Sequence, residues 1–422
     1  MAGRARCLDR RVAEAVFARA VEACAPERRV AAALAGAVDA ELGGGGARIG
    51  VAAGKAALAM ARGAPVDRGI AVAPGGAGDP ASLPAGWRAL AAGHPAPDER
   101  SVAAGRAVRE LVAGAGPEDV VIALISGGAS ALIEVPRIPL DELRALAGAL
   151  MAAGAPIREL NTVRGALSEL KAGGLALATA ARVLTLVASD VVGDPLDAIG
   201  SGPTIGSWLS APGVPVDVGA AAEARRAEAL AILARHGLAA PAALATPIGP
   251  RLVTRRDHAL LVAPLAAFAD AALAALAGAG IAAHRLDPPL EGDVEAAARR
   301  LAAAPGPFVA WGEPTVRVPE GHGDGGRAQQ LALALARLVR GTARALLVAG
   351  TDGVDGPPPR DGRPSPAGAF VDGGTWDAIA AAGVDPDLAL ARRDAGPALA
   401  AAGALFVPGP TGVNHADVVI AW

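Results

Sequence analysis

Residues 119–128 read DVVIALISGG. The apolar run is short, partly β-branched and unbroken, which predicts a strand buried on both faces and running into a glycine turn. The same rhythm recurs on either side of it. RIGVAAG (48–54) reads as a strand, KAALAMARG (55–63) as the helix after it, and GIAVAP (69–74) as another strand. Residues 11–38 are mainly helical with a break near Pro26, and helices are predicted over 100–113, 140–153, 164–181 and 220–236. ARVLTLVASDVVG (181–193) is again a buried strand that ends in polar residues. HALLVAP (258–264), an Ala-rich helix to 278, IAAHRL (281–286) and a helix from 293 open a second series. GPFVAWG (306–312), TVRV (315–318), RALLVAGTDG (344–353) and ALFVPGPTG (404–412) complete it.

Apolar strands separated by helices of roughly 10–15 residues predict an α/β protein with mainly parallel sheets. Functional residues then belong at the carboxyl ends of the strands. The proline-rich stretch 238–250, LAAPAALATPIGP, reads as a domain junction. It divides the chain into an N-terminal α/β domain, 1–240, and a C-terminal one, 241–422.

The chain has 422 residues, 52% of them hydrophobic and 19% charged, with a formal net charge of −3. That composition is globular, and the charge argues against a general nucleic-acid binder. The longest apolar runs, such as LALALARLV (331–339), fall far short of the roughly 20 residues that span a bilayer. No signal peptide is read in the start MAGRARCLDRR, so a cytoplasmic protein with no membrane partner is expected. The two cysteines, Cys7 and Cys24, make neither a disulfide framework nor a metal-ligand spacing. The six histidines form no H-x-x-x-H pair, which argues against a zinc enzyme.

Polar and glycine clusters follow the strand runs. GHGDGGRAQQ (321–330) puts four glycines and Arg327 before an apolar helix, and a helix N-terminus with a guanidinium attracts phosphate or carboxylate. Gly321, Gly323 and Gly326 match G-x-G-x-x-G. However, Pro319 and Glu320 separate them from the strand, and Asp352 comes too late to recognise a ribose. Gly54-Lys55 resembles a P-loop end, but Gly50 is one residue too close and Ala56 replaces the metal-binding hydroxyl. Lys55 still starts a helix, where a cation without an anionic partner is unfavourable. SGGAS (126–130) offers turn amides and two hydroxyls and is not G-x-S-x-G. SDVVGD (189–194) supplies Asp190 and Asp194, carboxylates suited to Mg²⁺ beside phosphate oxygens or to orienting a hydroxyl. TDGVDG (351–356) repeats that arrangement. Each cluster alone also reads as a turn.

The ordered set resembles the class II glycerate 2-kinases, the glycerate kinase/MOFRL family. It comprises GKAA at Lys55, GHPAPDE (93–99), LISGGASAL (124–132), NTVR (161–164), KAGGLA (171–176) and SDVVGDPLDAIGSGPT (189–204). It continues with GGRAQQLALALA (325–336), AGTDGVDG (349–356) and GPTGVNHAD (409–417). The resemblance implies two Rossmann-like α/β/α domains facing across a cleft. It further implies an ATP-dependent kinase that phosphorylates D-glycerate to 2-phosphoglycerate with Mg²⁺, and it is compatible with a homodimer. It carries Lys55 and Arg327 over as catalytic residues and Asp190 and Asp194 as metal ligands. For substrate and phosphate it carries over Ser126, Gly127, Gly128, Ser130, Asn161, Arg164, Gly325, Gly326, Asp352 and Asn414. The chain departs from the family pattern at Gly165-Ala166, where Lys-His is usual, and at Ala328-Gln329-Gln330, where Asn-Gln-Glu is usual. It departs again at Val413-Asn414-His415-Ala416-Asp417, where Thr-Asn-Val-Asn-Asp is usual. The alternatives are a hydroxypyruvate reductase, which needs the dinucleotide fingerprint, and a non-catalytic phosphometabolite-binding protein.

Overall fold

The computed structural model describes residues 10–37, 45–76, 79–360 and 362–422. The readings made on the first nine residues, Cys7 among them, and on Val38 lie outside these. The chain divides into two compact units. One runs from Pro26 to Ala263, and the other joins Pro264–Trp422 to the segment that ends at Ala25.

The unit 26–263 is built on a six-stranded sheet. Its strands are β1 (Arg48–Ala53), β2 (Arg68–Pro74), β3 (Trp87–Ala92), β4 (Val120–Ser126), β5 (Arg182–Ala188) and β8 (His258–Ala263). A separate antiparallel pair is formed by β6 (Pro215–Asp217) and β7 (Leu252–Thr254). The order is β3-β2-β1-β4-β5-β8, with every pair parallel. Every residue of β4 is buried, as expected for a strand covered on both faces. Val121, Ala123 and Ile125 enter one core with Ile49 and Val51. Ile122 and Leu124 enter the other with Leu184 and Leu186. The order reverses direction between β1 and β4, which is the topological switch point of a doubly wound sheet. A third core, with Leu150, Leu160, Ile232 and Leu233, lies among the helices Leu140–Ala152, Ile157–Ala166 and Val218–Arg235.

The other unit has the sheet order β13-β12-β11-β14-β10-β9. These strands are β9 (His284–Arg285), β10 (Phe308–Gly312), β11 (Ala345–Gly350), β12 (Gly368–Asp372), β13 (Leu405–Phe406) and β14 (Asp417–Ala421). The helix Arg327–Leu338 buries nine consecutive residues, Ala328 to Ala336, in the core of this unit. The helix Arg10–Ala23 belongs here as well. Its Phe17 ring stands 5.1 Å from Phe268 and 5.0 Å from Phe406.

Several expectations change. The architecture is α/β throughout, but only the first sheet is parallel; in the second, β9 and β10 alone pair that way. HALLVAP does not open the second series: it forms β8 and closes the first sheet beside β5. The proline-rich stretch is no junction, because Leu244 is buried in the helical core and Ile248 N donates to Glu223. The chain crosses between units at Ala263–Pro264, and not at 240–241. TVRV makes only an isolated bridge at Thr315, since Val318 faces solvent. The helix predicted over 164–181 instead ends at Ala166.

Candidate active site

Two turns cross at the switch point of the first sheet. The chain leaves β1 at Gly54-Lys55 and leaves β4 at Ser126-Gly127-Gly128. Lys55 N donates to Gly127 O at 2.9 Å and Ala56 N to Ser126 Oγ at 3.1 Å, so each turn holds the other. Among the described residues, the amides of Gly127 and Gly128 have no acceptor. Gly127 is buried and Gly128 half-buried, and a buried donor in that state is costly unless a ligand or water takes it up.

Glycine is required at 127 because the Asp190 carboxylate lies on its backbone: a Cβ there would sit 1.7 Å from Asp190 Oδ2. On the neighbouring residue, a Cβ at Gly128 would come 3.0 Å from His94 Nε2 and 3.5 Å from Lys55 Cγ. Lys55, His94 and Asp190 thus converge on one turn with two free amides. The His94 pKa is lowered by burial and then by the Lys55 charge, with Asp190 opposing. Its imidazole is therefore neutral at neutral pH. His94 belongs to GHPAPDE, but its place beside a turn some 34 residues later has no local signature in the sequence.

Other residues carried over by resemblance support this turn from behind. Arg164 Nη2 donates to Ser130 O at 2.9 Å. Below it, Lys171 and Glu134 form a fully buried ion pair, and Ser168 Oγ donates to Glu134. Burial pushes the Lys171 pKa down, with Glu134 resisting. Asn161 lies half-buried three residues before Arg164 on the same helix. Asp194 stands in the loop after Asp190, in a left-handed conformation with φ 52°. Among the described residues, no three His, Cys, Asp or Glu side chains come together as a metal-binding group.

A second cluster lies in the other unit, at the start of the helix Arg327–Leu338. The sequence predicted that this helix N-terminus, with Arg327, awaits an external anion. The chain supplies the anion itself. Asp355 accepts from Ala328 N at 3.0 Å and Gln329 N at 2.7 Å. Gly326 is glycine because a Cβ there would lie 2.3 Å from Asp355 Cγ. Arg327 forks onto Asp417 through Nε at 2.6 Å and Nη2 at 3.1 Å, and its Nη1 reaches Glu313 at 2.7 Å. Burial lifts the Asp417 carboxyl to about 7, with Arg327 pulling the other way. Asp355 is likewise raised by burial.

Gly325 adjoins this start with φ 141°. Asp352 is exposed and accepts from Val354 N at 3.0 Å, and Asn414 Oδ1 accepts from Ala416 N at 3.3 Å. Thr351 ties their loops together: it donates to Ala416 O and accepts from His415 N at 2.7 Å. The roles of Asp355, Asp417 and Glu313 were missed. Asp355 and Asp417 stood inside quoted motifs, and only the fold shows that they bracket Arg327.

Two family models match the chain. Residues 12–245 match a domain of unknown function (DUF4147) and residues 307–417 match the MOFRL family. The chain belongs to the glycerate kinase/MOFRL family. Within that family, it is 34% identical over 336 residues to a D-glycerate 2-kinase of Thermotoga maritima, covering 75% of each chain. An Agrobacterium vitis relative bearing a provisional hydroxypyruvate reductase name is 34% identical over 338 residues, covering 75% of this chain and 72% of its own. The crystal structure of a glycerate kinase from Thermotoga maritima superposes with a TM-score of 0.84 at 32% identity, covering 97% of this chain and 98% of the other. Among the described residues, no helix is long and apolar enough to cross a membrane.

Proposed function

We propose that the protein is a glycerate 2-kinase: it transfers the γ-phosphoryl group of ATP to the 2-hydroxyl of D-glycerate, giving 2-phosphoglycerate and ADP. The observation that carries this reading is the pair of crossed turns at the switch point, with Lys55, neutral His94 and Asp190 around two free amides. The glycerate kinases of the same family support it. Phosphoryl transfer needs little covalent help; it needs charge neutralisation and in-line positioning. The amides of Gly127 and Gly128 bind anionic phosphate oxygens. Lys55 adds a mobile positive charge at the same place. His94 accepts the proton that the glycerate hydroxyl loses as the new P–O bond forms, and its neutral state leaves it free to do so.

Asp190 is the carboxylate that fits a metal. Mg²⁺ is usually held by one or two carboxylates plus phosphate oxygens and water. Two carboxylates from one loop suit a metal that arrives with the phosphates of the nucleotide. When bound, Mg²⁺ would neutralise charge on the phosphates, with Asp190, and Asp194 in the same loop, as its protein ligands. Arg327 is assigned to an anionic group of the substrates, using the two of its five N–H donors not engaged by Asp417 and Glu313. Gly325, Gly326, Asp352, Asn414 and Asn161 remain in the assigned binding set. A cytoplasmic setting belongs to this reading, because the reaction draws on ATP.

The reductase reading meets a specific obstacle. The helix after Gly326 would have to receive a pyrophosphate on its first amides, and Asp355 already bonds those of Ala328 and Gln329. The deciding assay supplies D-glycerate, ATP and Mg²⁺ beside a parallel reaction with NADH and hydroxypyruvate. ADP is expected only when glycerate is present, with phosphorus coupled to the C2 proton by NMR. Oxidation of NADH by hydroxypyruvate without ATP would replace the kinase by the reductase.

A further inference from the structure

A cavity of about 460 Å³ opens in the unit 26–263, away from the crossed turns. None of Lys55, His94, Ser126, Gly127, Gly128 or Asp190 lines it. Its walls come from the helices Ile157–Ala166 and Val218–Arg235, from the Ser168–Gly174 loop and from the proline-rich stretch. Leu177, Val218, Leu244 and Ile248 make part of the wall apolar. The size suits a small organic ligand.

Its charges are unbalanced. Arg137, Arg225, Arg226 and Lys171 line it, against one carboxylate, Glu169. Three of these five are already engaged. Arg226 forks onto Glu223 at 2.6 and 2.8 Å, Lys171 pairs with Glu134, and Glu169 pairs with Arg109 at 3.2 Å. Arg137 and Arg225 have no carboxylate within ion-pair distance among the described residues. Arg225 is half-buried, and its basicity is depressed by burial first and by the Arg137 charge second, with Glu228 only partly offsetting them. Two like charges held together on a partly dry wall are unfavourable until an anion joins them.

Room for that anion comes from Gly165 and Ala166, two positions at which the chain departs from its family pattern. A Cβ at Gly165 would already stand 3.3 Å from Arg225 Cδ, so a longer side chain would press on the guanidinium. A carboxylate brings one negative charge, whereas a phosphate monoester brings nearly two and matches a pair of guanidiniums.

We propose that this cavity is a second ligand site, which binds an organic phosphate between Arg137 and Arg225 and lays the ligand's body on the apolar wall. None of Lys55, His94, Gly127, Gly128 and Asp190 lines this site, although Ser168 and Lys171 behind the turn do, so its failure and the failure of the kinase reading are separable. The test is isothermal titration of the full-length protein with AMP, inorganic phosphate and acetate. AMP should bind about tenfold more tightly than inorganic phosphate, since only AMP has a body for the apolar wall. Acetate should bind more weakly than either. Arg225→Gln should weaken AMP binding by about tenfold or more, the scale of one charge-assisted contact. Arg137→Gln, at an exposed residue, provides the same reading should the first variant not fold. Lys55→Ala should keep the Arg225-dependent binding. The proposal is overturned if the wild type binds neither phosphate compound, if acetate matches AMP, or if Lys55→Ala abolishes AMP binding while both arginine variants retain it.

Discussion

Lys55 stands beside a turn whose amides have no acceptor among the described residues, next to an imidazole kept neutral. Lys55→Ala should therefore lower kcat by roughly 10²-fold, the scale of losing one charge-stabilising group. The side chain is exposed, so the thermal midpoint should stay within a degree or two of wild type's. Turnover near the wild-type rate would remove Lys55 from the machinery. Asp417 makes a different kind of prediction. Burial raises its carboxyl from 3.8 to about 7 against the pull of Arg327. Between those values the folded protein holds a proton that the unfolded chain has released. This group therefore contributes most stability below about pH 4 and progressively less as pH rises through about 7. Asp417→Asn should make the decline in thermal midpoint from pH 4.5 to 7.5 shallower, and an unchanged slope would assign that decline to other groups. The sequence marked Lys55, Ser126 and Arg327 because glycines and strand ends surround them. It did not mark the partners of Arg327, one carboxylate 14 residues before it and another 90 residues after it. Contacts of that span leave no local pattern.

At the scale of elements, β4 was legible because nothing else explains an unbroken apolar run ending in two glycines. Its side chains point alternately into two cores, so shortening one leaves a hole that neither face can collapse to fill. Leu124→Ala should cost roughly 2–5 kcal/mol, read from urea denaturation. A loss well under 1 kcal/mol would mean that the site repacks freely. The misread elements have physical reasons. TVRV alternates like a strand but turns Val318 to solvent, so no core rewards pairing. β14 is a short apolar run at the end of a glycine-rich loop motif, yet it sits at the centre of its sheet between β10 and β11. Antiparallel neighbours reach it from distant parts of the chain, and periodicity carries no information about that. HALLVAP was read correctly as a strand and assigned to the wrong sheet, because pattern identifies a strand without naming its neighbour.

The whole molecule is two units, one of them discontinuous. The helix Arg10–Ala23 packs through Phe17 on Phe268 and Phe406. Phe17→Ala should destabilise that unit by roughly 3–5 kcal/mol. Hydrogen exchange should then accelerate in β10, β11 and β14 while β1 and β4 keep their protection. Equal acceleration in both sheets would show that the units unfold as one. The sequence placed the division some 20 residues early, because a proline-rich stretch on the surface of a helical core looks like a linker when its packing is unseen.

The discontinuity also sets a schedule. A chain emerging from the ribosome presents the helix Arg10–Ala23 before anything it will pack on exists. About 250 residues must follow Phe17 before Phe268 is made, a wait of roughly 12–50 s at about 5–20 residues per second. All of Pro26–Ala263 is synthesised within that interval and can close first. Until then Val16 and Phe17 have no core of their own, and the nascent chain offers a short apolar helix to any chaperone stationed at the tunnel exit.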